Sequence, residues 1–257
     1  KNSYKKFLCD IGYIVKENED FKIKTTNIDE EISSIPGPQL VVPLTNKRYA
    51  INAANSRWGS LYDALYGTDI IPNKGKFKIG EYYNESRGKE VIKFAKAHLD
   101  LFFPIDNCSY KDVTKIQIID NELIFHDKNY KLKKMQNPNQ FFGYIGIESD
   151  PEEIILKKNG LRIRLQINNK HPIGKIDSFH LKDIIIESAP SVIMDCEDSI
   201  VSVDTDDKIA TFRNWMGLLD KTIKTEVKKD NVSFVRELSK DILYKNPNGD
   251  THSMRGL

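Results

Sequence analysis

Apolar residues along this chain recur with two different periods, and the periods alternate in blocks. In residues 153–167, EIILKKNGLRIRLQI, Leu161, Ile163, Leu165 and Ile167 alternate with Arg162, Arg164 and Gln166. Asn159-Gly160 supplies the positive-φ pair of a two-residue turn, so this stretch predicts a half-exposed antiparallel hairpin. Ile116, Ile118, Leu123 and Phe125 flank Asp120-Asn121 in the same manner, and residues 232–255 resume the pattern around Asn248-Gly249. A period of three to four governs Val91, Phe94, Ala95, His98, Leu99 and Phe102, which predicts a helix from about Lys89 to Phe103. A helix over antiparallel strands is an α+β layer.

Two blocks have another texture. QLVVPL, residues 39–44, is an apolar strand bounded by Gly37-Pro38 and Thr45-Asn46, and a helix carrying Trp58, Leu61, Tyr62 and Leu65 follows it to about Gly67. In PSVIMDCEDSIVSVDTDD, residues 190–207, Val192, Ile193 and Met194 read as a strand buried on both faces, with Asp195, Glu197 and Asp198 at its C-terminal end. A helix from about Asp206 then carries Ile209, Phe212, Trp215, Met216 and Leu219. Residues 1–36 open with an amphipathic helix from Tyr4 to Ile14 and run into a charged approach linker. The alternation predicts one domain inserted into another.

Bulk properties narrow the picture. Of 257 residues, 39% are hydrophobic and 30% charged, which is enough for a sizeable core, and 39 basic against 37 acidic residues make no overall case for nucleic acid. No apolar run has the length of a membrane span or of a signal-peptide core, so the expected location is the cytoplasm, away from membranes. Cys9, Cys108 and Cys196 fit neither a disulfide framework nor a zinc pattern and read as reduced thiols. The missing initiator Met and the stop at Leu257, just after a hairpin pattern, predict a piece of a longer protein.

Charged groups beside an apolar strand call for compensation. Asp195, Glu197 and Asp198 suit Mg²⁺ or its waters, and they equally suit a cap and ion-pair cluster leading into the next loop. Cys196 has no His to activate it and reads as a buried structural thiol. Lys47-Arg48 and Tyr49 could meet a phosphate and a stacked ring or form a solvated loop, and Arg236 reads as a surface residue. There is no phosphate-binding Gly-x4-Gly-Lys pattern, and His98, His126, His171, His180 and His252 lack metal-ligand spacing.

GPQLVVPLTNKRYAINAANSRWGSLYDALYGTDIIP (37–72) and PSVIMDCEDSIVSVDTDDKIATFRNWMGLL (190–219) resemble malate synthase, in its long G isoform, nearly residue for residue. Phe142-Gly143-Tyr144-Ile145-Gly146 and Ile155 to Leu161 continue the resemblance, which covers essentially the whole chain. It implies an α/β fold: an α+β inserted domain with antiparallel sheet, plus an incomplete portion of a TIM (β/α)8 barrel. The implied division is a linker at 1–36, the first barrel strand at 37–57, the inserted domain at 58–187 and 221–257, and the second barrel strand with its helix at 188–220.

The family condenses acetyl-CoA with glyoxylate and water to (S)-malate and CoA in the glyoxylate bypass, as an acyltransferase using Mg²⁺. An Asp removes a methyl proton, the enolate attacks the aldehyde, and malyl-CoA is hydrolysed. The resemblance puts acetyl-CoA contacts on Val41, Arg48, Tyr49, Ser199 and Arg236, and it gives Asp195, Glu197 and Asp198 a supporting role near metal-bound waters. The family's catalytic Arg and Asp and its metal ligands are expected beyond Leu257, so the chain alone is expected to be inactive and to hold no Mg²⁺ tightly. The parent enzyme is expected to be monomeric, while two of eight barrel strands left open favour self-association. A non-catalytic interaction module is the alternative, and another Mg²⁺-dependent acyl-CoA lyase is a third reading that would not share both motifs.

Overall fold

The computed structural model describes residues 2–15, 24, 26–35, 37–229 and 232–254; part of the expected charged linker lies outside the described residues. Helices α1 (Asn2–Asp10) and α2 (Glu30–Ser33) precede β1 (Gln39–Pro43) and α3 (Lys47–Ala54). Next come β2 (Trp58–Ser60), α4 (Leu61–Gly67), α5 (Glu85–Phe102), β3 (Val113–Ile119), β4 (Glu122–Asp127) and β5 (Leu132–Lys134). β6 (Phe141–Ile147), β7 (Asp150–Lys158), β8 (Leu161–Ile167), α6 (Pro172–Ile176) and β9 (Leu181–Glu187) follow. The remaining elements are β10 (Ser191–Asp195), α7 (Thr205–Leu219), β11 (Lys224–Lys229), β12 (Val232–Glu237), β13 (Leu243–Lys245) and β14 (Thr251–Ser253).

Local chemistry sets the hairpins. Asn159 and Gly160 adopt φ of 52° and 81°, and Asp120 and Asn121 adopt 51° and 66°, the left-handed pairs that match a tight turn to the twist of its strands. The first pair joins β7 to β8 inside a seven-stranded sheet of order β14-β13-β6-β7-β8-β9-β2, and the second joins β3 to β4 in a three-stranded sheet. Helix α5 starts at the Asn84 cap, whose side chain accepts the Arg87 N–H, and it lays Val91, Ala95 and Leu99 on Ile154, Leu156, Leu165 and Ile184 of the larger sheet. The mixed α/β character with antiparallel sheets follows directly. Trp58 departs from the helical expectation: it sits in β2 opposite Glu187 of β9, a pairing partner too distant in sequence for local periodicity to reveal.

The loop between α4 and α5 is organised by a cation. Arg87 is 0% exposed, and its guanidinium donates to the carbonyl oxygens of Tyr66 (2.7 Å), Thr68 (2.6 Å), Ile71 (2.8 Å) and Phe77 (3.0 Å). The planar fork of an arginine can serve several acceptors at once, which a lysine cannot.

The other part of the molecule is a parallel pair. β1 and β10 align Gln39 with Ser191 through Pro43 with Asp195, and α3 and α7 follow the two strands. Leu44, Ala50, Ile51 and Ile223 form its small core, tied by the Asn214 Nδ2 donation to Leu44 O at 2.7 Å. Two strands cannot close a barrel, and an open parallel pair followed by helices fits an incomplete portion of one. The expectation that Val192 to Met194 are buried on both faces is corrected: Ile193 is 47% exposed, because β10 pairs only with β1 and one face has no covering layer among the described residues. On α7, Phe212, Met216 and Leu219 are exposed for the same reason.

The junction between the two parts is tight. Ser188 donates its N–H to Arg57 O at 2.7 Å, and its hydroxyl to Ser56 O at 2.7 Å.

Candidate functional site

The C-terminal ends of β1 and β10 lie side by side, with the Leu44 N–H donating to Asp195 O at 3.0 Å. Open α/β sheets place their ligands at this end. Asp195 terminates β10 and folds the next residues back over itself: Oδ1 accepts the N–H groups of Glu197 (2.8 Å) and Asp198 (3.1 Å), and Oδ2 accepts that of Ser199 (2.7 Å). The Glu197 N–H, then the Ser199 hydroxyl, hold the Asp195 carboxyl below the usual carboxylate range. Lys208 fixes the loop from α7, donating to Cys196 O at 2.8 Å and lying 3.5 Å from Glu197 Oε1.

Of the two roles open to these acids, the geometry realises the turn and the ion pair. Asp195 spends its oxygens on backbone donors, Glu197 faces Lys208, and Asp198 is exposed. No three His, Cys, Asp or Glu side chains converge to hold a metal among the described residues. The side chains present therefore do not fit Mg²⁺ as direct ligands. Cys196 is half-buried against the Leu44, Ala50 and Ile51 core.

Lys47 and Arg48 occupy the first turn of α3 rather than a loop. Asn46 caps that helix by accepting the Tyr49 N–H at 3.1 Å, a signal readable as an Asn three residues ahead of Tyr49. The Arg48 guanidinium lies over the exposed Tyr49 ring at 5.4 Å. Val41, 59% exposed, stands opposite Ile193 on the same parallel pair. Arg48, Tyr49 and the turn bearing Ser199 thus share one end of the strands.

Arg236 is placed elsewhere. It lies on β12 opposite Thr225, its guanidinium 5.5 Å from the Phe234 ring. Asn55, just past α3, donates to Glu237 O at 2.9 Å and accepts the Ser239 N–H at 2.8 Å, so the backbone at Arg236 is pinned beside the C-terminal end of α3. Arg48 is the second residue of α3, so six helical steps, roughly 9 Å, separate it from that end. Lys208 and Asn55, which position this site, escape a sequence reading because each acts on a segment remote from its own.

The family model of the malate synthase G alpha-beta insertion domain matches residues 83–158. Over 258 residues the chain is 48% identical to a malate synthase G of Corynebacterium glutamicum, covering 100% of the chain and 34% of that relative. A malate synthase G of Halalkalibacterium halodurans is 44% identical over 255 residues, covering 99% of the chain and 35% of the relative, and one of Corynebacterium efficiens is 46% identical over 255 residues. The chain spans about a third of the length of the curated relatives it matches. Insertion-domain match and strand-end motifs agree: the chain belongs to the malate synthase G family.

Proposed function

We propose that this chain supplies the coenzyme-A-facing part of a soluble cytoplasmic malate synthase, whose whole activity joins acetyl-CoA, glyoxylate and water to give (S)-malate and CoA. The observation that carries this reading is the shared strand end, where the Arg48 and Tyr49 pair opens α3 beside the Asp195 turn. In this reading residues 37–57 and 188–220 belong to the barrel, and residues 58–187 and 221–257 to the inserted domain.

Each side chain then has a physical task. The planar guanidinium of Arg48 suits a phosphate, and the exposed Tyr49 ring offers a stacking face. Val41 contributes apolar surface, and the Asp195 turn holds Ser199 in place to meet the thioester arm. Arg236, across the length of α3, suits a ligand as extended as CoA. Glu197 and Asp198 would orient water near the reacting groups. No step of the chemistry is assigned to a metal held by this chain.

Acetyl-CoA titrated into the isotopically labelled chain tests the reading. Weak, millimolar binding is expected, shifting the amides of Val41, Tyr49 and Ser199, with no malate formed on addition of glyoxylate and Mg²⁺. Shifts confined to other residues would overturn the assignment of contacts. Malate production would overturn the inactivity of the chain alone.

A further inference from the structure

The α+β layer holds a cavity of about 360 Å³ between α4, α5 and β9 that the acetyl-CoA reading leaves unused. Its volume falls at the small end of ligand pockets, which run from about 300 to 1,000 Å³. Three constructional features open it.

The first is a bulge in β9. Gln166 pairs with Asp183 and Ile167 with Leu181, which leaves Lys182 as the extra residue. Neighbours on a regular strand point to opposite faces, whereas here Lys182 and Asp183 both border the cavity, Lys182 at its boundary with the adjoining cleft of Asp150, Glu152 and Glu153. Bulges re-aim side chains in this way and concentrate beside functional sites.

The second is Gly88, inside α5. A Cβ at this position would stand 1.8 Å from Tyr83 Oη. Glycine weakens a helix interior, and here its bare backbone seats the Tyr83 ring, which stacks on Tyr66 at 5.5 Å with 14° between planes. The third is the Arg87 fork, which fixes the backbone of Tyr66 through its carbonyl.

The lining combines opposite charges with an apolar wall. Asp183 is partly buried and accepts the Ser60 hydroxyl and the N–H groups of Tyr62 (3.3 Å) and Ile184 (2.7 Å); burial raises its pKa, and a cation beside it would offset that burial. Lys182 brings an ammonium, and His171 accepts the Ile173 N–H at Nδ1 (3.3 Å), which leaves Nε2 for another partner. Ile92 and the tyrosine pair supply the apolar side. We infer that this cavity binds a free α-amino acid with an apolar or aromatic side chain, its ammonium at Asp183, its carboxylate at Lys182 and His171, and its side chain along Tyr66 and Tyr83.

The test uses L-phenylalanine as probe on the labelled 257-residue chain, with phenethylamine lacking the carboxylate and 3-phenylpropionate lacking the ammonium. Phenylalanine should shift the amides of Gly88, Ile92 and Lys182, and each analogue should bind at least tenfold more weakly. Gly88→Ala, which displaces the Tyr83 ring, and Lys182→Met should each remove binding while leaving the far-ultraviolet dichroism unchanged. Absence of those shifts at tens of millimolar phenylalanine would overturn the inference. Phenethylamine binding as tightly as phenylalanine would overturn it too, since the site would then select a cation alone. A failed acetyl-CoA titration would leave it untouched, because the two sites share no residue.

Discussion

Replacing Arg87 with Met keeps most of the apolar stem of the side chain while deleting every donor of the buried fork. Four carbonyl oxygens, those of Tyr66, Thr68, Ile71 and Phe77, lose donors at 2.6–3.0 Å. A hydrogen bond to a charged group contributes about 1.5–3 kcal/mol, so four would sum to roughly 6–12 kcal/mol if nothing relaxed. Two effects reduce that figure: Thr68 and its neighbours lie near the surface and can rehydrate, and the variant no longer buries a guanidinium, which itself costs several kcal/mol. The expected net loss is about 3–5 kcal/mol, near the cost of breaking a buried charged pair. At about 2–4 °C per kcal/mol for a chain of this size, the melting temperature should fall on the order of 10 °C. Urea unfolding followed by tryptophan fluorescence and by dichroism measures the loss directly. Arg87→Lys should recover less than half of it, because an ammonium cannot reach four diverging acceptors. An Arg87→Met chain within about 1 kcal/mol of the parent, with an unchanged m-value, would refute the view that this side chain organises the loop.

Other consequences can be checked independently. Lys96 and Asp177 pair at 2.5 Å with side chains 8% and 2% exposed, so Lys96→Met should cost about 3–5 kcal/mol. Adding Asp177→Asn, which keeps an acceptor for the Phe179 and Leu181 N–H groups, should restore more than half; equal costs for single and double variants would contradict the pairing. The depressed pKa of Asp195 means that its ionised form is favoured by folding, so the turn is fully stabilised above the unfolded value of about 3.9 and is lost only as pH falls through the lower folded value. The Ser199 amide should therefore titrate below that pH, and a midpoint at or above it would exclude the hydrogen-bonded turn. The exposed stripe of Phe212, Met216 (63% exposed) and Leu219 should drive concentration-dependent association that Met216→Glu reduces; light scattering from a monomer at every concentration would contradict this.

Much of the layer was legible because its signals are local. Asn159-Gly160 and Asp120-Asn121 demand left-handed backbone, and the structure has it at all four positions. The α5 periodicity was equally plain, although the Asn84 cap starts the helix at Glu85, ahead of the expected Lys89. Trp58 misled, since its spacing to Leu61 and Leu65 mimics a helix while its pairing with Glu187 is long-range. Apolar Val192 to Met194 suggested two-sided burial, but a run of apolar residues reports what a strand can cover, not what is present to cover it. The acids of residues 195–198 marked a strand end in sequence, while their division of labour depends on Lys208 from the next helix and on hydrogen-bond directions. The cavity at Tyr83 had no sequence signature at all. Its walls come from α4, α5 and β9, and a one-residue register shift is invisible until the partner strand is known.

The Ser188 contacts have a topological meaning. Ser56 and Arg57 lie 132 and 131 residues before it, yet the chain leaves the parallel-strand part and returns to it through a doorway one hydrogen bond wide. From the parallel pair, the whole excursion spans no more distance than a tight turn would. Closing a longer loop costs only about 0.6 kcal/mol per doubling of its length, so such a doorway tolerates an insert of almost any size. The two parts can accordingly change their contents separately, provided that the residues on either side of the doorway keep their grip.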